Sequence, residues 1–215
     1  AKDEACVHEV MVISSFLSIQ DPRERPFEAR QKADEAHKIF QSKGSDFISC
    51  FNLWKFYQEQ SKALSSTRLR KLCKTNFLSY PRMREWSDLY SQLNSTAKTL
   101  KFAINANDAG DDNIHRALLT GLLGLIGLKQ DKHEYQGGHN KRFYIMPGSV
   151  CFSKPPHWLV AAEIIETTKL YARMVASIDN EWLERILSRD LLTDSLIAVW
   201  NFSRVICSCS RHWKT

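Results

Sequence analysis

The stretch that decides the fold is residues 169–178, which read Lys-Leu-Tyr-Ala-Arg-Met-Val-Ala-Ser-Ile. Its two alternating sets are Leu170, Ala172, Met174, Ala176 and Ile178, and Tyr171, Arg173, Val175 and Ser177. A period of two is typical of a β-strand with one set of side chains on each face. Residues 142–146 and 158–165 are also extended patterns, and Pro-Gly and Pro-Pro turns lie between them. Short strands after one helix, predicted over 114–123, indicate a small, partly open β-barrel.

The chain before residue 105 has a helical period instead. Apolar residues recur at spacings of three and four over 4–18, 27–40, 47–57 and 83–100, and a basic helix that follows Ser65 and Ser66 is interrupted by Pro81. Between 105 and 113 the composition shifts to Asn, Asp and Gly, which is typical of turns and linkers. We therefore predict an α+β protein with a helical domain over 1–104, a linker over 105–112 and a β-rich domain over 113–184.

The overall composition excludes several classes of protein. The 215 residues are 43% hydrophobic, which is enough to bury a core and excludes disorder over the whole chain. The longest uncharged apolar run, residues 117–128, is shorter than the roughly 18 residues that a membrane helix needs. The first residues carry no apolar signal region and no initiating Met. We expect a cytoplasmic fragment of a longer protein.

Cysteine usage predicts a reducing compartment and no metal site. The six cysteines have no repeated spacing, and four of them lie in apolar stretches where a thiol acts as a small hydrophobe. Cys207, Cys209 and His212 form the one suggestive cluster, but no second pair completes four tetrahedral ligands. A chance arrangement is favoured over a zinc site.

Positive charge is concentrated in two groups within a formal net charge of +6. Residues 61–84 contain no Asp or Glu and carry Lys62, Arg68, Arg70, Lys71, Lys74, Arg82 and Arg84. The second group is His139, Lys141, Arg142 and Lys154, and the aromatic residues Phe77, Tyr80, Phe143 and Tyr144 interleave with both groups. Cations bind phosphates and flat rings stack on bases, so the combination favours a polyanionic partner. A solvated helix face is the alternative.

Residues 17–26 read Leu-Ser-Ile-Gln-Asp-Pro-Arg-Glu-Arg-Pro, which resembles the LSIQDPRERP signature of bacterial HrpA-type DEAH-box RNA helicases. Further agreement follows in order at 45–47, 52–54, 65–66, 72–73, 84–86, 117–123, 143–149, 154–156, 158, 163–168, 178–179 and 182–183. The resemblance covers roughly residues 4 to 184. Residues 185–215 do not resemble the family's continuation, and we expect a frameshifted or lineage-specific tail.

The resemblance implies an architecture and a role. Residues 1–104 would form an N-terminally truncated helicase-associated, ratchet-like helical bundle, and 113–184 a small OB-like β-barrel. Complete family members also carry two RecA-like motor domains, which this sequence lacks. The implied function is that of an RNA-binding accessory fragment, which guides single-stranded RNA while the motor domains hydrolyse NTP. The residues expected to contact RNA are Arg68, Arg70, Lys71, Lys74, Arg82, Arg84, Lys141, Arg142, Phe143, Tyr144 and Lys154.

The expected partners are single-stranded RNA and the RecA-like domains of the parent protein, with no membrane. ATP and Mg would belong to those motor domains, so we expect no cofactor in this chain and no catalysis by it alone. The alternative function is a protein-interaction module that docks on the motor domains or on an activating partner.

Two further motifs are interpreted as coincidental. Residues 34–37 spell Asp-Glu-Ala-His, but a polar, helix-like segment precedes them and no Gly-Lys-Ser or Gly-Lys-Thr phosphate loop is present. We interpret His37 as a buried side chain on the inner face of a helix. Gly121, Gly124 and Gly127 lack the Lys of a phosphate loop, and close packing between a helix and a strand is the favoured interpretation.

Overall fold

The computed structural model describes residues 1–190, apart from the side chains of His139 and 186–190. The chain divides into two compact units between Ala117 and Leu118. This division lies beyond the predicted linker at 105–112, inside a helix over Asp111–Gly121. The rest of the predicted tail, 191–215, with its Cys207, Cys209 and His212, lies outside the described residues. None of the described helices is long and apolar enough to cross a membrane.

The first unit is helical, as predicted. Its helices are α1 (Val7–Leu17), α2 (Arg30–His37), α3 (Asp46–Ala63), α4 (Ser66–Thr75), α5 (Tyr80–Thr99) and the start of α6 (Asp111–Gly121). Trp86 of α5 is fully buried, and its indole N–H donates to the Val12 carbonyl and the Ser15 hydroxyl, both at 3.0 Å. Phe16 and Trp54 pack on its ring with centroids 5.0 and 4.9 Å away. An aromatic side chain that also satisfies its polar atom fixes α5 against α1 and α3.

The segment predicted as a linker is tied to the first unit by a buried carboxylate. Glu9 of α1 is fully buried, and it accepts hydrogen bonds from the Asn105 side-chain amide at 3.0 and 2.9 Å and from the Ala109 backbone N–H at 2.8 Å. A buried carboxylate requires such partners, because an unpaired one costs several kcal/mol. The turn-rich composition therefore marks an anchored loop.

The basic helix ends earlier than the sequence predicts. α4 stops at Thr75, and Phe77 takes a left-handed conformation with φ of 52°. Pro81 lies in the first turn of α5, where its missing N–H and fixed φ suit a helix start. The proline that the sequence suggests as an interruption is therefore the beginning of the next helix.

The second unit is a closed five-stranded barrel. Its strands are β1 (Ile126–Lys129), β2 (Glu134–Gln136), β3 (Arg142–Ile145), β4 (Trp158–Glu166) and β5 (Leu170–Ser177), and α7 (Asn180–Asp190) follows them. The strand order is β1-β2-β3-β5-β4, closed by β4 on β1, and β3 and β5 are the parallel pair. This confirms the predicted α+β class, a helical bundle followed by an OB-like barrel. The barrel is closed and not partly open, because β1 and β2, which the sequence analysis missed, complete it.

Phe143 fills the barrel next to two glycines. The ring is fully buried, and a Cβ built on Gly127 would lie 2.5 Å from the Phe143 Cζ, while one on Gly137 would lie 2.9 Å from its Cε1. Gly127 is closely packed, as expected, but it packs against the Phe143 ring and not against a helix. Gly121 and Gly124 have nothing within 4 Å of an added Cβ.

We predict that Gly127→Ala lowers the free energy of unfolding by about 1–3 kcal/mol, because the added methyl overpacks the core against Phe143. Gly124→Ala is the matched control and should change it little. Urea unfolding followed by circular dichroism measures both. The cost of Gly127→Ala should shrink in a Phe143→Leu background, and an equal cost in both backgrounds would contradict this packing.

Candidate nucleic-acid interface

The signature segment at 17–26 contains an ion pair that folds back on itself. Asp21 accepts hydrogen bonds from the Arg23 backbone N–H at 2.9 Å, from its Nε at 3.0 Å and from its Nη2 at 2.7 Å. The two side chains are 25% and 28% exposed. Burial alone would lower the pKa of Arg23, but the Asp21 carboxylate outweighs it and raises that pKa above its usual value. Arg23 therefore stays charged and holds the loop in one shape.

This loop is paired with the turn between α4 and α5. The Ser79 N–H donates to the Pro22 carbonyl and the Glu24 N–H to the Phe77 carbonyl, both at 2.8 Å. Arg82 Nη1 donates to the Asp21 carbonyl at 3.0 Å. The signature thus fixes the position at which α4 ends and α5 begins, and it does so without a catalytic group.

The Asp-Glu-Ala-His string lies on α2 and stabilises the same turn. His37 is buried, and its Nε2–H donates to the Phe77 carbonyl at 3.2 Å. Asp34 pairs with Arg25 at 2.7 Å. Burial lowers the pKa of His37, with the Phe77 carbonyl opposing that shift and Arg23 adding to it. The string has a structural role here, as predicted for His37.

We predict that His37 makes stability fall as the pH is lowered from 7 to 5. Its pKa in the folded chain lies below the unfolded value of 6.5. Below about pH 6.5 the unfolded chain therefore binds a proton more readily than the folded chain does, and this favours unfolding. One histidine contributes a slope of at most about 1.4 kcal/mol per pH unit. His37→Gln, which keeps a donor for Phe77, should reduce the slope in urea unfolding at several pH values. Buried His115, whose pKa burial also lowers, should retain part of it. An unchanged slope in His37→Gln would contradict the assignment.

α4 presents four cations to solvent. Leu69 and Cys73 are buried on its inner side, and Arg68, Arg70, Lys71 and Lys74 are all exposed. Within the described part of the chain, none of the four forms an ion pair with a carboxylate. The Arg70 guanidinium lies 5.2 Å from the centroid of the Tyr80 ring, which orients it along the start of α5. We call these four side chains the α4 cationic surface.

Arg82 and Arg84 differ from that surface. Arg82 is half-buried and engaged with the Asp21 carbonyl, so it positions the signature loop. Arg84 is exposed but lines a groove together with Glu85 and Asp88, and these carboxylates reduce the local positive potential. The sequence groups all six cations together, whereas the structure separates four from two.

On the barrel, one of the predicted contact residues is in the core. Phe143 is fully buried, so its ring cannot stack on a base, and this prediction is wrong. The reason is strand alternation, because Arg142 and Tyr144 face outward on β3 while Phe143 and Ile145 face inward. Lys141, Arg142 and Lys154 are exposed, as a contact role requires.

The outer face of β2, β3 and β5 carries a row of side chains that includes residues the sequence analysis missed. The register aligns Glu134 with Tyr144, and Tyr144 with Tyr171. Tyr144 donates its hydroxyl to Glu134 at 2.7 Å, and Arg142 pairs with the other carboxylate oxygen at 3.0 Å. The hydrogen bond to Glu134 raises the pKa of Tyr144. The Tyr144 and Tyr171 rings are 6.2 Å apart, and the Lys169 ammonium lies 4.4 Å from the Tyr144 centroid.

We call Glu134, Arg142, Tyr144, Lys169 and Tyr171 the barrel row. Tyr171 and Lys169 lie in the alternating stretch that predicted the last strand, and that alternation was the signal that could have placed Tyr171 on the outer face. The row offers two partly exposed rings, two cations and one carboxylate, which is a set suited to stacking and phosphate binding.

Nucleophile and metal chemistry have little support in the described residues. Cys6, Cys50, Cys73 and Cys151 are buried, and burial raises the pKa of Cys73 to about 11 and that of Cys50 well above its usual value. A buried, protonated thiol is a poor nucleophile. No group of three His, Cys, Asp or Glu side chains in the described ranges could hold a metal ion.

Residues 114–189 match the oligonucleotide/oligosaccharide-binding (OB)-fold family. The class of the second unit is therefore an OB-fold domain, and the match runs past the boundary predicted at 184.

Most of the chain is similar to one kind of helicase. It is 51% identical over 187 residues to the ATP-dependent RNA helicase HrpA of Escherichia coli (strain K12), which covers 86% of this chain and 14% of that protein. It is 46% identical over 200 residues to the HrpA homolog of Haemophilus influenzae, which covers 93% of this chain and 15% of that protein. The HrpA helicase of Borreliella burgdorferi is 26% identical over 182 residues, 84% of this chain and 21% of that protein.

The chain belongs to the HrpA-type helicases, as an accessory region made of a helical bundle and an OB-fold. It spans about one seventh of the length of the first two relatives, 14% and 15%.

Proposed function

We propose that this accessory region binds and guides single-stranded RNA through two surfaces, the α4 cationic surface and the barrel row. The observation that carries the proposal is that four exposed cations on one short helix have no carboxylate partner in the described part of the chain.

The contrast with other arginines supports a ligand at α4. Arg23, Arg25, Arg116, Arg142 and Arg173 each pair with a carboxylate at 3.0 Å or less. Arg68 and Arg70 form no such pair with the carboxylates of the described residues, although both are exposed, as Arg25 and Arg142 are. Five arginines on other elements are thus neutralised by carboxylates, whereas Arg68 and Arg70 keep their donors available for an external anion.

The spacing of the cations also favours a polyanion. Arg70 and Lys74 are four residues apart, and Lys71 is three residues from both Arg68 and Lys74, so like charges face each other along the helix. Such pairs destabilise a helix by about 0.2–0.5 kcal/mol each. A phosphodiester backbone would relieve this repulsion, because it places one negative charge at each nucleotide.

The barrel row supplies the contacts that cations alone cannot. Tyr144 and Tyr171 are partly exposed, and every base has a π-face that can stack on such rings. The Lys169 ammonium over Tyr144 occupies a place that a stacked base could take, which would free the ammonium for a phosphate. Lys141 and Lys154 lie exposed in the same unit and would bind the backbone of the strand.

In this proposal the chain holds RNA while motor domains outside it bind ATP and Mg and supply the force. The relatives are named ATP-dependent RNA helicases, and this chain matches only a small share of them. We propose the cytoplasm as the location, and we propose no catalytic step for the chain alone.

We predict that log affinity for a short oligo-uridine falls against log salt with a slope of about −3 to −4, as expected if about five phosphates on a single strand are neutralised. The double variant Lys71→Gln/Lys74→Gln should make the slope less steep by about 1.4, since each lost contact removes about 0.7. Arg70 is left in place because it contacts Tyr80. Fluorescence anisotropy across a salt series gives both slopes.

The matched control is Lys38→Gln/Lys98→Gln, which removes the same charge from exposed lysines on other elements. An equal change of slope in the control would show that only net charge matters. Absent or salt-independent binding by the unaltered chain would refute the proposed RNA binding.

A second candidate function is docking on the motor domains, and exposed apolar side chains favour it. Phe27 is 81% and Ile39 65% exposed, although both are large and hydrophobic. Isolated apolar side chains are common on surfaces, so this observation is weaker than the cationic one.

Docking predicts that Phe27→Ser and Ile39→Ser together weaken co-elution with purified RecA-like domains at least several-fold, because apolar contact area is lost. The same variant should bind oligo-uridine normally. Size-exclusion chromatography of the mixture measures the first effect. Unchanged co-elution, or no co-elution of the unaltered chain, would remove this candidate.

A further inference from the structure

We propose that Glu134 makes the barrel row prefer bases with an exocyclic amino group over bases that present a carbonyl at that position. The inference rests on the proposed RNA binding and adds a specificity determinant to it.

In the barrel row, the Glu134 carboxylate lies beside the ring of Tyr144. Glu134, Tyr144 and Tyr171 are direct register partners on three successive strands. Neighbouring strands are about 4.8 Å apart, so a base stacked on Tyr144 would reach the position of Glu134 with its edge. The hydrogen bond of 2.7 Å from the Tyr144 hydroxyl holds that carboxylate beside the ring.

Glu134 keeps acceptor capacity after its two internal contacts. Its Oε1 accepts from Arg142 Nη1 and its Oε2 from the Tyr144 hydroxyl. An ionised carboxylate has about four lone-pair sites, so about two remain. The side chain is 19% exposed, which leaves it reachable from solvent while its orientation is fixed by both partners.

Because the Glu134 carboxylate can only accept hydrogen bonds, it favours bases that present a donor to it. Cytosine presents its N4 amino group as a donor, and acidic side chains accept from that group. Uracil has a carbonyl oxygen at the corresponding position, which would face the carboxylate as a second acceptor and would be repelled. The two rings have the same size, so a difference in affinity between them reports the edge and not the stacked area.

The barrel also provides a matched comparison. Glu163 and Arg173 form a similar ion pair at 2.9 Å on β4 and β5, with the Glu163 side chain 47% exposed. Within residues 1–190, no tyrosine hydroxyl hydrogen-bonds to Glu163. Glu163→Gln therefore makes the same charge change as Glu134→Gln, but away from the Tyr144 ring.

The experiment measures dissociation constants of the full chain for oligo-cytidine and oligo-uridine of equal length at one salt concentration. We expect about five-fold tighter binding of cytidine, the lower end of what one base-edge contact contributes. Glu134→Gln should bring the ratio close to one, because an amide can both donate and accept. Glu163→Gln should leave the ratio unchanged.

Each alternative outcome overturns the inference. Equal binding of both oligonucleotides, or a preference that survives Glu134→Gln, would show that Glu134 does not read the base, and the proposed RNA binding would stand. A ratio lost equally in Glu163→Gln would assign the effect to net charge. Binding of neither oligonucleotide would refute the proposed function together with the inference.

Discussion

The α4 cationic surface depends on the pairing of the signature loop with the turn between α4 and α5. Like charges along α4 oppose the helix, and only Leu69 and Cys73 of this helix are buried. The compensating contacts come after the helix, where Phe77 takes a left-handed conformation and its carbonyl accepts from both the Glu24 N–H and His37. Salt screens charged pairs more than backbone hydrogen bonds, so this pairing can hold a charged helix in place when the ionic strength changes.

In the barrel, packing of the core holds the outward-facing side chains in position. Phe143 occupies the space above Gly127 and Gly137, and Tyr135 donates its hydroxyl to the Pro156 carbonyl. A core without room for a methyl group keeps β2 and β3 in one register. That register in turn aligns Glu134 with Tyr144 on the outer face, so the chemistry of the barrel row is set by side chains on the opposite face of the same strands.

The sequence predicted what long periodic stretches encode. The helices up to α6 and the two long strands follow from spacing, whereas α7 was not predicted, and the fold class follows from the order of the predicted elements. β1 and β2 are four and three residues long, which is too short for a period to emerge. Phe143 was misassigned because a four-residue strand does not reveal which face is buried, and a shift of one residue exchanges the faces. The hydrogen bond from Arg82 to the Asp21 carbonyl joins residues 61 positions apart, and no local sequence pattern predicts such a contact.

The two surfaces should respond differently to their surroundings. On α4 the cations have no carboxylate partner among the described residues, so a bound strand would gain their attraction and release its own counterions. On the barrel, Arg142 is already paired with Glu134, and a phosphate must compete with a carboxylate that the fold holds in position. Stacking on Tyr144 and Tyr171 is less sensitive to salt than phosphate binding is. In the proposed RNA binding, the α4 cationic surface would therefore contribute attraction that any strand can use, and the barrel row would contribute the contacts that depend on the base.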